Sequence, residues 1–463
     1  MTDFNQYQSP FSWRYASPQM RSIWSEMHKR RLWRQVWVAL ARAQQPFGLV
    51  SAVQVAELQT NSSRIDLERA LAIEAEIHHD LMAELKTFAE QCPTAGGILH
   101  LGATSMDIED NADALRLRQA LDLVLQRLGE LLLVLAGMVE KFADLPVMAF
   151  THLQPAEPTS LGYRLAFSAQ DLLEDWLNLS AVRKGVRGKG FKGAVGTGAA
   201  YGDLLGTDNF EKFEQALQKD LGLDFFEVTH QTYPRKQDYL VVSTLAGLGA
   251  SLYKLAFDMR LMQSPSIGEW SEPFGKKQVG SSAMPFKRNP INAEKIDSLA
   301  RSLSVLPQVA WQNAAHSLLE RTLDDSANRR SLLPEAFLTA DELLLTALRI
   351  IKGLNIHEAA IGRNLAAYAP FAATERLLMA AARAGADRQE MHELLRQHAL
   401  AAWEEVQSGQ PNPLTERLKS EARLTAYLSA VEIDQLANVE SYTGIAPQRA
   451  RSLAQRIRTT LTG

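Results

Sequence analysis

The stretch from Asp110 to Asp144 constrains the fold most, because its composition is typical of one uninterrupted helix capped near Asp110-Asn111. About 34 residues of helix span about 50 Å. Its apolar residues cover most of the helix circumference; they are Leu121, Leu123, Val124, Leu125, Leu128, Leu131, Leu132, Leu133 and Leu135. A helix that is apolar all round has to be surrounded by other helices.

Further segments could provide that packing. Helical patterns occur near residues 159–183, 236–264, 292–317 and 331–353, whereas short alternating runs typical of strands are scarce. We therefore predict an all-α fold with a central bundle of long helices. One chain can hardly cover so many leucine faces, so we expect other subunits to complete the bundle.

The two ends of the chain differ from this centre. Residues up to about 110 contain amphipathic helices, such as Met20 to Gln45, and a Gly/Pro-rich turn at Cys92 to Gly97. Beyond about residue 355 the helices are shorter, with breaks predicted at Ala369-Pro370, Gly385, Gln410 to Pro413 and Gly444. We predict an N-terminal domain (1–110), a central bundle domain carrying a flexible loop (111–354) and a C-terminal domain (355–463).

Composition excludes several classes of protein. The 463 residues include 49 basic and 53 acidic side chains, a net charge of −4, which does not suggest a general nucleic-acid or membrane-surface binder. The single cysteine, Cys92, cannot form an intramolecular disulfide and fits a reducing compartment. The N-terminus lacks the pattern of a signal peptide, and the most apolar run, Leu131 to Val139, is shorter than the roughly 20 residues of a membrane span. We expect a cytoplasmic protein.

The most unusual stretch is the loop Gly280 to Pro290, with the sequence GSSAMPFKRNP. It lies between predicted helices, where a long loop is usually functional or disordered. Its glycine, two hydroxyls, proline and adjacent cations suit a mobile flap that closes on an anion. Taken alone, a solvated linker is an equally good interpretation.

Four other stretches carry candidate chemistry, each with a simpler interpretation. His152 in Phe150 to Ala156 suits proton transfer near neutral pH, although a histidine in a connection is more often an ordinary hydrogen-bonded residue. The stretch His78-His79-Asp80 could equally be an exposed polar turn. Thr104 and Ser105 precede the long helix, where hydroxyls and free N–H groups bind anions or simply cap the helix. The run Glu320 to Arg330 is a phosphate clamp or a solvated face.

Motifs for a metal or redox cofactor are missing from the sequence, so we expect neither. There is no cysteine cluster and no His-Glu-x-x-His, and the Gly-x-Ser-x-Gly elbow of hydrolases is absent. The glycines of Gly193 to Gly198 follow no predicted strand and are weak evidence for a nucleotide-binding fold.

Taken together, these motifs resemble the fumarase/aspartase superfamily and, within it, the adenylosuccinate lyases. The loop Gly-Ser-Ser-x-Met-Pro-x-Lys-x-Asn-Pro is highly specific for that superfamily. Other matching motifs follow in family order; they are Arg14 to Pro18, His79-Asp80, His100 to Ser105, Thr151 to Ala156, Gln231 to Tyr233 and Glu320 to Arg330. Looser matches, Ala336 to Asp341 and Tyr442 to Gly444, extend the resemblance over nearly the whole chain.

The resemblance implies a three-domain helical protomer and a homotetramer around a twenty-helix bundle, in which each active site is built from three subunits. The implied reaction is a β-elimination that releases fumarate from adenylosuccinate to give AMP, and from the succinylocarboxamide ribotide SAICAR to give AICAR. No cofactor or metal is implied, and the implied partners are small nucleotides.

The resemblance also implies roles for particular residues. Ser281 corresponds to the general base, His152 to the general acid and Glu294 to the acidic residue that orients this histidine. Lys287 would stabilise the carbanion-like transition state, and His79 would aid proton transfer. Residues that match the substrate-binding positions are Arg14, Tyr15, Asp80, Thr104, Ser105, Thr151, Gln231, Ser282, Asn289, Arg321, Ser326 and Arg330.

Three departures from the family pattern concern the site. The family often has Gly-Thr-Gln-Ala-Ser where this chain has Gly196 to Ala200, so a polar side chain is missing. A common Met-Arg-Ser-Glu-Arg is Ile291 to Lys295 here, with one arginine lost and another replaced by lysine, which cannot form the same forked contacts. Phe286 replaces a frequent tyrosine. These changes concern affinity and substrate balance more than reaction type.

Two alternatives stay open at this point. A different lyase of the superfamily, such as an argininosuccinate lyase, a fumarase or a cycloisomerase, would share the loop but need no phosphate site. A non-catalytic structural protein on the same fold, as lens crystallins exemplify, could lose Ser281, His152 or Lys287 without penalty. All three are present, which favours an enzyme.

Overall fold

A computed structural model describes residues 4–438 and 442–462 of the chain. It is predominantly helical, as predicted, and its few strands form two small antiparallel sheets within the described residues. The chain divides into two compact units. The first unit comprises residues 1–128, 175–250 and 298–345, and the second comprises residues 129–174, 251–297 and 346–463. The three-domain division stays a prediction.

The N-terminal helices are short apart from the third. They are α1 (Pro10–Trp13), α2 (Pro18–Ile23), α3 (Glu26–Gln44), α4 (Ala52–Asn61), α5 (Leu67–Ile77) and α6 (Asp80–Gln91). The prediction of one helix from Met20 to Gln45 is wrong, since a break at Trp24-Ser25 separates α2 from α3. The Ser25 hydroxyl accepts the His28 N–H at 3.2 Å, and this N-cap starts a new helix. Cys92, just after α6, is fully buried.

The middle of the chain contains the long helices. Its helices are α7 (Ser105–Lys141), α8 (Leu161–Gly185), α9 (Ala199–Leu205), α10 (Phe210–Leu221), α11 (Lys236–Gln263), α12 (Ile291–Ala315) and α13 (Ser326–Lys352). The five long ones lie close to the predicted segments. The helix α7 starts earlier than predicted because the Asp107 carboxylate accepts the Thr104 N–H at 3.0 Å, which caps its first turn.

Burial along α7 supports the prediction that other helices surround its leucines. Leu121, Leu128 and Leu131 are fully buried, but Leu133 is 48% exposed. The helix α11 has the length and apolar composition of a membrane span, and 44% of its most apolar window is buried in this chain. One such helix is weak evidence for a membrane protein, because core helices have the same properties.

A β-hairpin that the sequence did not predict follows α7. The strands β1 (Pro146–Thr151) and β2 (Gln154–Ser160) pair antiparallel, with Thr151 opposite Gln154 and a bulge between Met148 and Phe150. The prolines of β2, Pro155 and Pro158, obscured the strand pattern. A two-stranded sheet tolerates them, because prolines can occupy edge positions. A second pair, β3 (Trp270–Ser271) and β4 (Asn355–Ile356), is minimal.

The C-terminal helices are α14 (Glu358–Arg383), α15 (Arg388–Gln407), α16 (Leu414–Ser420), α17 (Ala422–Thr425), α18 (Ala430–Ala437) and α19 (Ala446–Thr462). The predicted break at Ala369-Pro370 is wrong, since α14 continues through Pro370. The helix packs against β1, β2 and α15, and this packing outweighs the roughly 3 kcal/mol that an interior proline costs. The breaks predicted at Gly385, Gln410 to Pro413 and Gly444 are present.

Candidate active site

A cavity of about 520 Å³ lies within the first unit. Many of the residues that the sequence singled out as substrate contacts line it; they are His79, Asp80, Thr104, Ser105, Gln231, Arg321, Ser326 and Arg330. They come from four separate parts of the chain, the α5–α6 turn, the start of α7, the segment before α11 and the start of α13. The fold therefore brings these predicted site residues together.

His79 is fixed at the turn between α5 and α6. His78 ends α5 in the left-handed conformation, with φ of 54°, and His79 caps α6 by accepting the Met82 N–H on Nδ1 at 3.4 Å. Because Nδ1 accepts a hydrogen bond, the ring proton of the neutral histidine belongs on Nε2. That nitrogen lies 3.4 Å from the Ser105 hydroxyl, so His79 donates to Ser105. The tautomer follows from helix capping.

The adjacent Asp80 forms an ion pair with Arg330. Arg330 Nη2 lies 2.9 Å from Asp80 Oδ2. Burial alone would raise the pKa of the Asp80 carboxyl. The charges of Arg330 and Lys29 and the hydrogen bond from the Leu81 N–H lower this pKa by a larger amount, so the net shift is downward. Asp80 is therefore ionised at neutral pH and holds the Arg330 side chain at the cavity wall.

A buried ionic network lies behind the phosphate-binding candidates. Asp325, which is 2% exposed, accepts hydrogen bonds from Arg235 Nε at 2.6 Å and from Arg321 Nη1 at 2.8 Å. Arg235 also donates to Asp110 at 3.0 Å. Burial raises the pKa of the Asp325 carboxyl, but the two arginines more than reverse this, and its net pKa is lowered. The network orients Arg321 from behind.

A second branch of the network fixes Arg329. Its Nε donates to Asp238 at 2.8 Å and its Nη2 to the Tyr233 hydroxyl at 2.9 Å, while that hydroxyl donates to Asp238 at 2.7 Å. Arg329 Nη2 also lies 3.3 Å from Asp113 on α7. The segment that carries Gln231 is thereby tied to both α7 and α13.

Replacing Asp325 by alanine is expected to destabilise the fold by about 3–5 kcal/mol, because it removes the carboxylate that pairs with the half-buried Arg321 and one of the two carboxylates that pair with the buried Arg235. Urea unfolding followed by circular dichroism measures this effect. The neighbouring Asp324, whose carboxylate is exposed, provides the control, and Asp324→Ala is expected to change stability by no more than about 0.5 kcal/mol. Equal unfolding midpoints for the two variants would show that the network does not stabilise the fold.

The structure does not place Arg14 and Tyr15 on the cavity wall. Arg14 is the exposed C-cap of α1, with its guanidinium 5.7 Å from the Trp13 ring centroid and 6.0 Å from that of Tyr15. The following backbone is anchored, since the N–H groups of Ala16 and Ser17 donate to Glu342 and Asp341 at 2.8 and 2.6 Å. The segment is held at its base, and its two predicted contact side chains lie apart from the cavity.

The loop Gly280 to Pro290, called the signature loop below, belongs to the second unit, and its two ends are joined by its own residues. The Asn289 amide donates to the Gly280 carbonyl at 3.1 Å, which joins the two ends of the loop. A Cβ at Gly280 would lie 2.2 Å from the Lys287 carbonyl oxygen, so only glycine fits this closure. Within the loop, the Ser281 hydroxyl oxygen accepts the Met284 N–H at 3.1 Å. Ser282 and Lys287 are exposed.

One departure from the family pattern has a local explanation. Glu272 accepts hydrogen bonds from the Asn292 N–H at 3.1 Å, the Asn292 amide at 3.1 Å and the Ala293 N–H at 3.2 Å. It thereby caps α12 just after the loop, where a carboxylate is favourable. The asparagine that replaces a family arginine is thus part of the support of the loop.

A second departure also has a local reason. Gly198 is the N-cap of α9 and has a φ of 67°. A glutamine would adopt this left-handed backbone conformation only with strain. A Cβ at Gly196 would lie 1.9 Å from the Thr229 carbonyl oxygen, so only glycine fits there as well.

Three further candidates, Thr151, His152 and Glu294, belong to the second unit. Thr151 and His152 are exposed at the tip of the β1–β2 hairpin, and Glu294 is exposed in the first turn of α12. Among the described residues of the second unit, no hydrogen bond or ion pair joins His152 to Glu294. The pairing implied by the resemblance therefore stays a prediction.

Comparison with known proteins identifies the family. A lyase model matches residues 13–303, and a model of the adenylosuccinate lyase C-terminus matches residues 370–453. The adenylosuccinate lyase of Saccharomyces cerevisiae is 39% identical over 98% of this chain and 95% of its own length. The chain belongs to the adenylosuccinate lyase family. This confirms the resemblance and places the chain among the carbon–nitrogen lyases of the fumarase/aspartase superfamily.

Relatives from other lineages agree. The adenylosuccinate lyase of Schistosoma mansoni is 40% identical over 90% of this chain and 88% of its own length. That of Pyrococcus horikoshii is 36% identical over 97% of this chain and 96% of its own length. Among solved structures, a 3-carboxy-cis,cis-muconate lactonizing enzyme from Pseudomonas putida superimposes with a TM-score of 0.85 at 28% identity, covering 98% of this chain and all of that one. The all-α fold of the superfamily is thereby confirmed.

The structure also adds residues that the sequence analysis missed. Lys29, Glu109, Asp113, Arg116 and Arg329 line the cavity beside the predicted residues. Glu109 and Asp113 lie four and eight positions after Ser105 on α7, so helical spacing from Ser105 could have indicated them. Lys29 lies too far away in sequence for such a signal.

Proposed function

We propose that the chain catalyses β-elimination of fumarate from adenylosuccinate to give AMP, and from SAICAR to give AICAR. The observation that carries this proposal is the clustering of His79, Thr104, Ser105, Gln231 and the arginines of α13 around one cavity. The family and the intact signature loop support it.

The proposed base is Ser281. It removes the proton from the carbon next to one succinyl carboxylate, and the electron pair left on that carbon forms the fumarate double bond as the carbon–nitrogen bond breaks. An ordinary serine hydroxyl is a poor base, so its alkoxide needs stabilisation. The Met284 N–H, 3.1 Å from its oxygen, is a donor already in place. Lys287 adds positive charge for the dianionic carboxylate of the transition state.

The proposed acid is His152, which protonates the nitrogen that leaves. Glu294 would orient the imidazole, and His79 would aid the transfer. The proton that Ser281 gains and the proton that His152 loses balance the reaction, and no cofactor is required. Thr151 would bind substrate beside His152. On the loop, Ser282 and Asn289 are also proposed contacts, with Asn289 closing the loop as well.

The proposed binding mode uses the starts of two helices. Ser105 begins α7 and Thr104 precedes it, and their hydroxyls at the start of the helix suit a succinyl carboxylate; Gln231 lines the same cavity. Ser326 begins α13, and with Arg321 and Arg330 it suits the phosphate. Asp80 would fix Arg330, and Arg14 and Tyr15 would complete the contacts. Phosphate binding far from the scissile bond aligns the reacting groups.

We also propose a homotetramer whose active sites are shared between subunits. Large apolar side chains on the long helices are exposed in the single chain; they include Leu133 (48%), Leu240 (48%), Phe257 (42%), Val305 (61%) and Trp311 (52%). Helices that are apolar on most of their circumference have to be surrounded by other helices, which other subunits would supply. The lack of a hydrogen bond or ion pair between His152 and Glu294 within the described residues is consistent with completion by other chains. The proposal includes the three-domain protomer, a cytoplasmic location and no nucleic-acid or membrane partner.

Incubating the purified protein with adenylosuccinate tests the function. We expect an ultraviolet absorbance change with equal amounts of fumarate and AMP, identified by chromatography. SAICAR is then the second substrate to assay. A folded protein that releases neither product would contradict the proposal, and argininosuccinate and malate would then be the next substrates. Activity on argininosuccinate or malate, without activity on adenylosuccinate, would indicate another lyase of the superfamily.

A further inference from the structure

Glu109 occupies an unusual position on the cavity wall. Ser105, Glu109 and Asp113 are spaced four residues apart on α7, so they lie on one face of the helix, and all three line the cavity. The family resemblance assigned no role to Glu109. It stands one helical turn beyond Ser105, which is proposed to bind a carboxylate, and it shares the cavity wall with Arg330, which is proposed to bind phosphate.

Glu109 differs from its acidic neighbours in its partners. Asp80 pairs with Arg330 at 2.9 Å, and Asp113 lies 3.3 Å from Arg329 and 3.5 Å from Arg116. Within the described residues, no hydrogen bond or ion pair engages the Glu109 carboxyl. Glu109 is therefore the acid of this wall whose charge is not compensated by a direct contact.

Charged and titratable groups from every element of the cavity share its wall with Glu109 or act on its charge. They are Glu26 and Lys29 on α3, Glu74 on α5, His78 and His79 in the turn, Asp80 on α6, Asp110, Asp113 and Arg116 on α7, Arg321 before α13, and Arg329 and Arg330 on it. Burial and the charges of Asp80, Asp113 and Asp110 raise the pKa of Glu109 to about 8, with Arg330 opposing them. The carboxyl is mostly protonated at neutral pH.

A nucleotide phosphate adds further negative charge to this wall. Its second pKa is about 6, so it is a dianion throughout the range in which Glu109 titrates. An ionised Glu109 would repel the dianion, whereas a protonated carboxyl offers an O–H donor to a phosphate oxygen. We propose that Glu109 is a specificity-determining residue that binds the nucleotide as the neutral acid and donates a hydrogen bond to its anionic end. This inference rests on the proposed function.

The expected pH dependence follows from the sign of the shift. Below about pH 8 the neutral acid is present and the substrate binds fully. Above about pH 8 the Glu109 carboxylate has to take up a proton when the substrate binds, so KM is expected to rise about tenfold per pH unit. Because Glu109 would not take part in proton transfer to the substrate, kcat is not expected to follow this titration.

Steady-state kinetics with adenylosuccinate between pH 6.5 and 9.5 tests the inference. We expect KM of Glu109→Gln to stay nearly constant, because the amide retains a donor and cannot ionise. The matched control is Glu74→Gln, which removes a cavity acid whose carboxylate lies 3.3 Å from Arg30, and its KM should rise as in the unmodified protein. A flat KM in the unmodified protein, or a rise that survives in Glu109→Gln, overturns the inference.

Calorimetric titration with AMP measures proton uptake on binding and is a second test that does not require turnover. Titrations at pH 8.5 in two buffers of different ionisation enthalpy should show proton uptake on binding, and Glu109→Gln should lose it. Binding without uptake in the unmodified protein overturns the inference. Absence of fumarate release contradicts the proposed function instead, so the two failures can be told apart.

Discussion

Ser281→Ala is expected to lower kcat by about 10²- to 10⁴-fold, the range that a general base contributes. Alanine removes the only oxygen of the side chain that we propose takes the substrate proton. The fold should be unaffected, because the loop ends are joined through Asn289 and Gly280 and Ser281 contributes one hydrogen bond, from Met284. Initial rates of fumarate release at saturating adenylosuccinate measure the effect.

The neighbouring serine is the matched control for this variant. Ser282 lies on the same loop, is exposed and is proposed to bind substrate rather than to take the proton. Ser282→Ala should therefore raise KM more than it lowers kcat. If the two alanine variants lose kcat equally, or if Ser281→Ala turns over near normally, Ser281 is not the base.

His152→Ala is expected to reduce kcat by a similar factor, about 10²- to 10⁴-fold, because the leaving nitrogen would depart without a proton. The imidazole is exposed at the hairpin tip, so its loss leaves no cavity in the core. His392, exposed on α15, provides the control histidine, and His392→Ala should retain normal turnover. A comparable loss in both variants would indicate a general effect of removing a histidine.

Mixing the two inactive variants tests whether the sites are shared. If Ser281 and His152 of one site come from different subunits, dissociating and reassembling a mixture of Ser281→Ala and His152→Ala should restore activity at some sites. If one chain supplies both residues, every site in the mixture lacks one of them. Continued inactivity of hybrids that are shown to form would argue against shared sites.

The sequence predicted those features that depend on local patterns. The leucine distribution of α7 predicted a long helix and a surrounding bundle, and the motifs predicted eight of the residues that line the cavity. The hairpin was missed because Pro155 and Pro158 interrupt the alternation by which strands are recognised. The break within the predicted Met20 to Gln45 helix depends on a single N-cap at Ser25, which competes with a continuous apolar pattern.

Pairings between distant residues could not be predicted. Nothing in the sequence indicates that Asp325 accepts from Arg235, 90 positions away, or that Asp110 shares the same arginine. The chain contains 49 basic and 53 acidic residues, so charge alone leaves many possible partners. The raised pKa of Glu109 has the same origin, because it depends on burial and on carboxylates that the fold collects from α6 and α7.

The turn of the β1–β2 hairpin implies a conflict between folding stability and activity. Thr151 pairs with Gln154, so His152 and Leu153 form a two-residue turn, with φ of 54° and 60°. Asparagine and glycine adopt this left-handed backbone most readily, and other residues do so at a cost of about 1–2 kcal/mol each. Selection for thermal stability alone would thus favour Asn-Gly at the tip and remove the proposed acid. The strained turn is a place where an adapted, more heat-resistant variant would gain stability at the expense of its chemistry.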